Sequence, residues 1–152
     1  METKASKVYF LEVKTVQEKL TFLGEAVKEV YFQGKTVLVY SPEKKALEYL
    51  DDLLWKQPQQ VILPHKIHEG TSDDKIVLCA NLEQYQKRDI IVNISSKPIE
   101  GDNYPEVIEL FDMTSPSKKS NSEQKLKSYQ EKGIEPIFLS SFPFFEEDLI
   151  SN

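Results

Sequence analysis

The residues with reactive or ligating side chains are few. His65 and His68 stand three apart, a spacing that can hold a metal on a helix, but Pro64 bars a helix there and no third ligand of the right kind lies nearby. The lone cysteine, Cys79, lies in the apolar run Ile76-Val77-Leu78-Cys79, where a thiol is inert packing rather than a nucleophile for His65. Asp51 and Asp52 are adjacent carboxylates among leucines, and a solvated helix face accounts for them. Asp89 follows Arg88 and reads as half of a local ion pair. Neither a Gly-x-Ser-x-Gly elbow nor a phosphate-cradling glycine loop is present, so catalysis, cofactors and metals are not expected.

The binding inventory is richer. Between Lys118 and Lys132 five lysines (118, 119, 125, 127 and 132) face two glutamates, a local excess of three in a chain of net charge −6. With Leu126, Tyr129 and Phe138 as apolar walls, this region suits an acidic peptide. The alternative is an ordinary solvated helix face. Trp55, the only tryptophan, ends a helix at a polar turn and reads either as a core cap or as a partner anchor. The overall negative charge argues against broad nucleic-acid binding.

These residues must be positioned by a chain that alternates strand and helix. Val8–Val13 reads as a central strand, and Thr15 as the cap of a helix with Val16, Leu20, Leu23, Val27 and Val30 on one face, stopped at Gly34. Val37–Tyr40 is the next strand; Ser41 and Pro42 read as cap and first residue of a helix running to Trp55. Short strands follow at 61–63, 76–79, 90–94 and 107–111, with 66–74 as a polar loop. Residues 113–122 read as a mobile serine- and lysine-rich loop, and Ser122 as the cap of a short helix ending at Gly133. Ile137–Leu139 reads as an edge strand. The expected fold is α/β: a three-layer α/β/α Rossmann-like domain with a mostly parallel mixed sheet and no nucleotide-binding loop. Residues 1–140 form the domain, and 141–152 form an aromatic then acidic tail, the kind of ligand the lysine-rich face would prefer. A single cysteine, the polar residues 1–7 and the lack of any run near the ~20 apolar residues of a membrane span suit a cytoplasmic protein.

Four stretches, in order, carry a resemblance. They are the helix end Asp52-Leu53-Leu54-Trp55 followed by Ile62-Leu63-Pro64-His65; Arg88-Asp89-Ile90-Ile91-Val92-Asn93; Glu106 to Asp112; and the basic segment Lys125 to Gly133. Together they resemble the chi subunit of bacterial DNA polymerase III. The resemblance implies a non-catalytic accessory of the clamp loader. It pairs with a psi-like subunit through a face holding Trp55, Pro58, Ile62, Pro64 and His65, and binds the acidic C-terminal tail of single-stranded-DNA-binding protein. The tail-binding set is Lys118, Lys119, Lys125, Lys127, Tyr129, Lys132 and Phe138, of which Lys119 and Lys127 match the family's basic positions. Association with DNA would be indirect, and a helicase is a further partner. Three positions depart from the family: Ile62 replaces a frequent phenylalanine, Glu123 stands near an arginine, and Leu126 stands at an aromatic. The competing class is a small ligand-binding domain or enzyme using a crevice at the strand carboxyl ends. The adaptor reading expects no small-molecule pocket; the enzyme reading expects a cleft with perturbed titratable groups.

Overall fold

The computed structural model describes residues 7–55, 66–68, 76–80, 89–99 and 106–140, with 53–55 and 66–68 described by backbone alone. In chain order the elements are β1 (Val8–Val13), α1 (Val16–Phe32), β2 (Val37–Tyr40), α2 (Lys44–Trp55), β3 (Lys66–His68), β4 (Ile76–Cys79), β5 (Ile90–Asn93), β6 (Glu106–Asp112), α3 (Pro116–Glu131) and β7 (Ile137–Leu139). Among the described residues the seven strands form one sheet in the order β3-β4-β2-β5-β6-β1-β7. Every pairing in it is parallel, so the described sheet contains no antiparallel strand.

Parallel strands need helical crossovers, and the direction of each crossover decides which face its helix covers. From β1, α1 carries the chain one way across the sheet to β2; from β6, α3 carries it the other way to β7. Right-handed connections in opposite directions place α1 and α3 on opposite faces, which makes three layers. The core divides accordingly. Tyr9, Leu11 and Val13 of β1 pack with Leu23, Val27, Val30, Leu47 and Leu50 of α1 and α2. Val8 and Phe10, the alternate residues, pack with Tyr129 and Leu126 of α3. Covered on both faces, β4 is buried and apolar at every position, Ile76–Cys79.

The helix ends follow from local chemistry. Thr15 accepts the Glu18 N–H at 3.0 Å, while the Glu18 carboxylate accepts the Lys14 N–H at 2.8 Å. Gly34, at φ +82°, donates to the Tyr31 carbonyl at 2.9 Å as Lys35 donates to Val30 at 3.3 Å. That is a Schellman pair, and it requires the left-handed conformation that glycine accepts without strain. Of the expected α1 stripe, Leu23, Val27 and Val30 are buried, each worth about 1.5–3 kcal/mol, whereas Val16 is 62% exposed at the first turn.

Several expectations are corrected. β1 lies one strand in from an edge, because β7 adds outside it. The helix after Ser41 starts at Lys44, since Ser41 still donates its N–H to the Cys79 carbonyl at 3.3 Å and its hydroxyl accepts the Glu43 N–H at 3.1 Å. Lys66–His68 is an edge strand on β4 rather than loop. Asp89 accepts the Thr36 N–H at 2.8 Å and its hydroxyl at 3.2 Å, which ties the start of β2 to the start of β5, while Arg88, its expected ion-pair partner, lies outside the described residues. The strand expected at 61–63 and the tail 141–152 lie outside the described residues.

Candidate functional site

The polar segment expected to be a loop is the start of α3. Ser115 caps it by accepting the Lys118 N–H at 3.3 Å, and Pro116 occupies its first position, where a missing N–H costs nothing. Gly133, at φ +85°, ends it with a second Schellman pair: Gly133 to Gln130 at 3.0 Å and Ile134 to Tyr129 at 3.1 Å. Ser122, read from the sequence as the cap, is instead a buried mid-helix residue whose hydroxyl accepts the Asp112 N–H at 2.8 Å.

An α3 so poor in apolar residues is held to the sheet by buried polar bonds. Glu109 of β6 is fully buried, and all its partners are donors. Lys125 Nζ reaches Oε1 at 2.8 Å; the Tyr129 hydroxyl and Asn93 Nδ2 reach Oε2 at 2.5 and 2.7 Å. Tyr129 in turn accepts the Ile99 N–H at 2.9 Å, and Asn93 also donates to the Lys97 carbonyl at 2.7 Å. Burial pushes the Glu109 carboxyl above its ordinary range, against the opposing pull of Lys125, Tyr129 and Asn93.

This network corrects the expected peptide-binding set. Lys125 and Tyr129 are buried at 5% and 0% exposure and bound to Glu109, so neither is presented on the outer face of α3. The remaining lysines divide between the two flanks of α3. Lys118 faces the sheet centre beside Asn121 and Lys125, and Lys132 donates to the Ile99 carbonyl at 3.3 Å on that same side. Lys119 shares the opposite flank, toward β7, with Glu123, Leu126 and Gln130 at helical spacings of four, three and four; Lys127 stands exposed next to Leu126. Lys119 and Lys127 have no ion-pair partner among the described residues. Beside this flank, Phe138 of β7 is 44% exposed and stacks on Phe10 at 5.6 Å, with Phe111 edge-on at 5.7 Å. Lys119, Glu123, Leu126 and half-exposed Phe138 thus lie toward the β7 edge of the domain, with Lys127 on the solvent face of α3.

At the carboxyl ends of β2, β5 and β6 lies a crevice of about 350 Å³, contrary to the adaptor expectation of no pocket. It sits where the connections leaving β2 and β5 diverge, the place where open parallel sheets bind ligands. Lys19, Ser41, Glu43, Ser95, Asp112, Lys118 and Lys125 contribute its polar lining. Most of these charges are committed to the fold. Asp112 pairs with Lys19 at 2.8 Å and accepts the N–H and hydroxyl of Thr114 at 3.0 and 2.6 Å, and Lys125 is held by Glu109. Burial is the largest single effect on the Asp112 carboxyl and raises it. The bonds from Lys19 and Thr114 and the Lys19 charge together outweigh burial and hold it below the ordinary range. The Ser95 hydroxyl contacts Asn93 Oδ1 at 2.8 Å and the Lys97 carbonyl at 3.0 Å.

Cys79 is buried and unoxidised in β4, as its apolar run implies. Among the described residues no group of three or more histidine, cysteine, aspartate or glutamate side chains can hold a metal ion, and no helix is long and apolar enough to cross a membrane. Trp55 ends α2, with its side chain outside the described residues, as are Pro58, Ile62, Pro64 and His65. Sequence reasoning missed the Glu109 network, although a glutamate inside Val107-Ile108-Glu109-Leu110, in a strand covered on both faces, was the available signal. No curated protein matches the chain. Residues 5–136 match the family model of the DNA polymerase III chi subunit, HolC, and since this covers most of the 152 residues, the chain belongs to the DNA polymerase III chi subunit family.

Proposed function

We infer that this chain, a replication accessory by family, works as a non-catalytic adaptor in which the open edge formed by α3 and β7 receives the acidic C-terminal tail of single-stranded-DNA-binding protein. The observation that carries this reading is exposed Lys119 and Lys127, neither with an ion-pair partner among the described residues, on an α3 whose β7 flank holds Leu126 and neighbours half-exposed Phe138 in a chi-family domain. Ammonium groups attract carboxylates, and the aromatic edge offers area for an apolar side chain. A psi-like clamp-loader subunit would engage the separate region of Trp55, Pro58, Ile62, Pro64 and His65, linking the tail to the polymerase complex. The competing reading, a ligand site in the strand-end crevice, rests on the cavity, whose charged groups largely serve the fold.

Calorimetry tests the adaptor reading. A synthetic acidic peptide ending in phenylalanine should bind with an affinity that falls with salt, since exposed charges are screened over about 10 Å at 0.1 M. The pair Lys119→Glu and Lys127→Glu should weaken binding at least tenfold, about 1.4 kcal/mol, without loss of stability. Wild-type affinity in that variant would place the site elsewhere. Trp55→Ala should leave peptide binding intact and weaken capture of a psi-like subunit by about 2 kcal/mol.

A further inference from the structure

We propose that the crevice at the carboxyl ends of β2, β5 and β6 binds a compact molecule that carries a phosphate or carboxylate group and neighbouring hydroxyls. The oxyanion sits against Lys118, Asn121 and Lys125 of α3, and the hydroxyls against Glu43 at the start of α2. This site is separate from the acidic-peptide surface and does not depend on it. Its volume of about 350 Å³ lies at the small end for ligand pockets, which suits a metabolite-sized molecule rather than a dinucleotide.

The bonds already made decide which charges are left for a ligand. Asp112 is spent on Lys19 and Thr114, so that pair is close to neutral. Lys125 is 5% exposed, and its ammonium has three N–H donors but, among the described residues, one acceptor, Glu109 at 2.8 Å. Donors left over in the interior favour an acceptor brought within reach. Lys118 has no ion-pair partner among the described residues, and neither its ammonium nor the Asn121 amide makes a hydrogen bond there. On the wall formed by α2, which covers the other face of the sheet, Glu43 likewise has no ion-pair partner among the described residues. The uncommitted groups are therefore cationic and donating on the α3 side and carboxylate on the α2 side. An oxyanion at one end and hydroxyl donors at the other match that polarity. The backbone favours the anion as well. Each of α1, α2 and α3 follows a parallel strand, so all three begin on this side of the sheet, with Lys19, Glu43 and Lys118 from their first turns in the lining. Their N-terminal ends carry partial positive charge.

The test titrates the isotope-labelled full chain with inorganic phosphate, glycerol 3-phosphate and glycerate, following amide resonances at constant ionic strength so that screening does not change. Saturable shifts are expected at Ser95, Ser96, Asn121 and Ser122. The tighter of glycerol 3-phosphate and glycerate identifies the oxyanion. Lys118→Gln combined with Asn121→Asp, both at exposed positions, should weaken the tighter probe at least tenfold. Glu43→Gln should weaken glycerol 3-phosphate relative to inorganic phosphate. Lys119→Glu with Lys127→Glu should leave binding of all three probes unchanged. The absence of saturable shifts from every probe would overturn the proposal. So would wild-type affinity in the Lys118 and Asn121 variant, or shifts that follow Lys119 and Lys127 instead of the crevice.

Discussion

Replacing Lys125 by methionine separates a residue that builds the fold from one that binds a partner. In wild type its ammonium lies 2.8 Å from Glu109 Oε1, with the two side chains 6% and 0% exposed. Methionine fills much of the volume but strands Oε1 in the interior, while Oε2 keeps Tyr129 and Asn93. Breaking a buried pair from one side costs about 3–5 kcal/mol, a large share of the roughly 5–15 kcal/mol that holds a domain of this size. With a urea slope of about 2 kcal/mol per molar, the denaturation midpoint should fall by about 2 M. The loss should depend on pH in a defined direction. Glu109 already titrates above its ordinary range because it is buried, and losing Lys125 raises it further. The native variant then binds a proton that the unfolded chain has released, so its stability relative to wild type recovers as pH falls toward the unfolded value. Adding Glu109→Gln should restore much of the loss, because the stranded charge is gone. Acidic-peptide affinity should be unchanged throughout wherever the variant is folded. A loss below about 1 kcal/mol, or a deficit that deepens on acidification, would refute the account of the network.

The Asp112 carboxyl is held below its ordinary range, so its contribution is present above the unfolded value near 3.8 and is lost as pH falls through its folded value. Asp112→Asn should therefore flatten the acid limb of the stability profile and cost about 1 kcal/mol at pH 7, read by urea titration at several pH values. Gly133→Ala forces a side chain into φ +85° and should cost about 1–2 kcal/mol by thermal melting, although nothing lies within 4 Å of an added Cβ.

Most strands and helix α1 were legible because their signals are local, whereas the three-residue β3, Lys66–His68, has a single apolar residue and reads as loop. Alternating burial needs an apolar run, and Thr15, Gly34 and Gly133 act on their own neighbours. The beginning of α3 was misread because its cap, Ser115, introduces a helix with almost no apolar stripe. Its attachment is made by Ser122, Lys125 and Tyr129 reaching β6, and contacts separated by 10 to 20 residues leave no periodic trace. For the same reason five lysines looked equivalent in the sequence, whereas the fold buries one, turns two toward the sheet centre and leaves Lys119 and Lys127 exposed on the other sides of α3. A crevice at the strand carboxyl ends follows from the strand–helix alternation, but its lining was not legible, since it comes from three strand ends and all three helices.

Which surface receives a ligand is settled most directly by titrating the isotope-labelled protein with an acidic peptide ending in phenylalanine and following its amide resonances. The adaptor account expects saturable shifts at Lys119, Leu126, Lys127 and Phe138, with little change at Ser41, Ser95 and Asp112. Shifts confined to Ser41, Ser95 and Asp112, around the strand-end crevice, would contradict it.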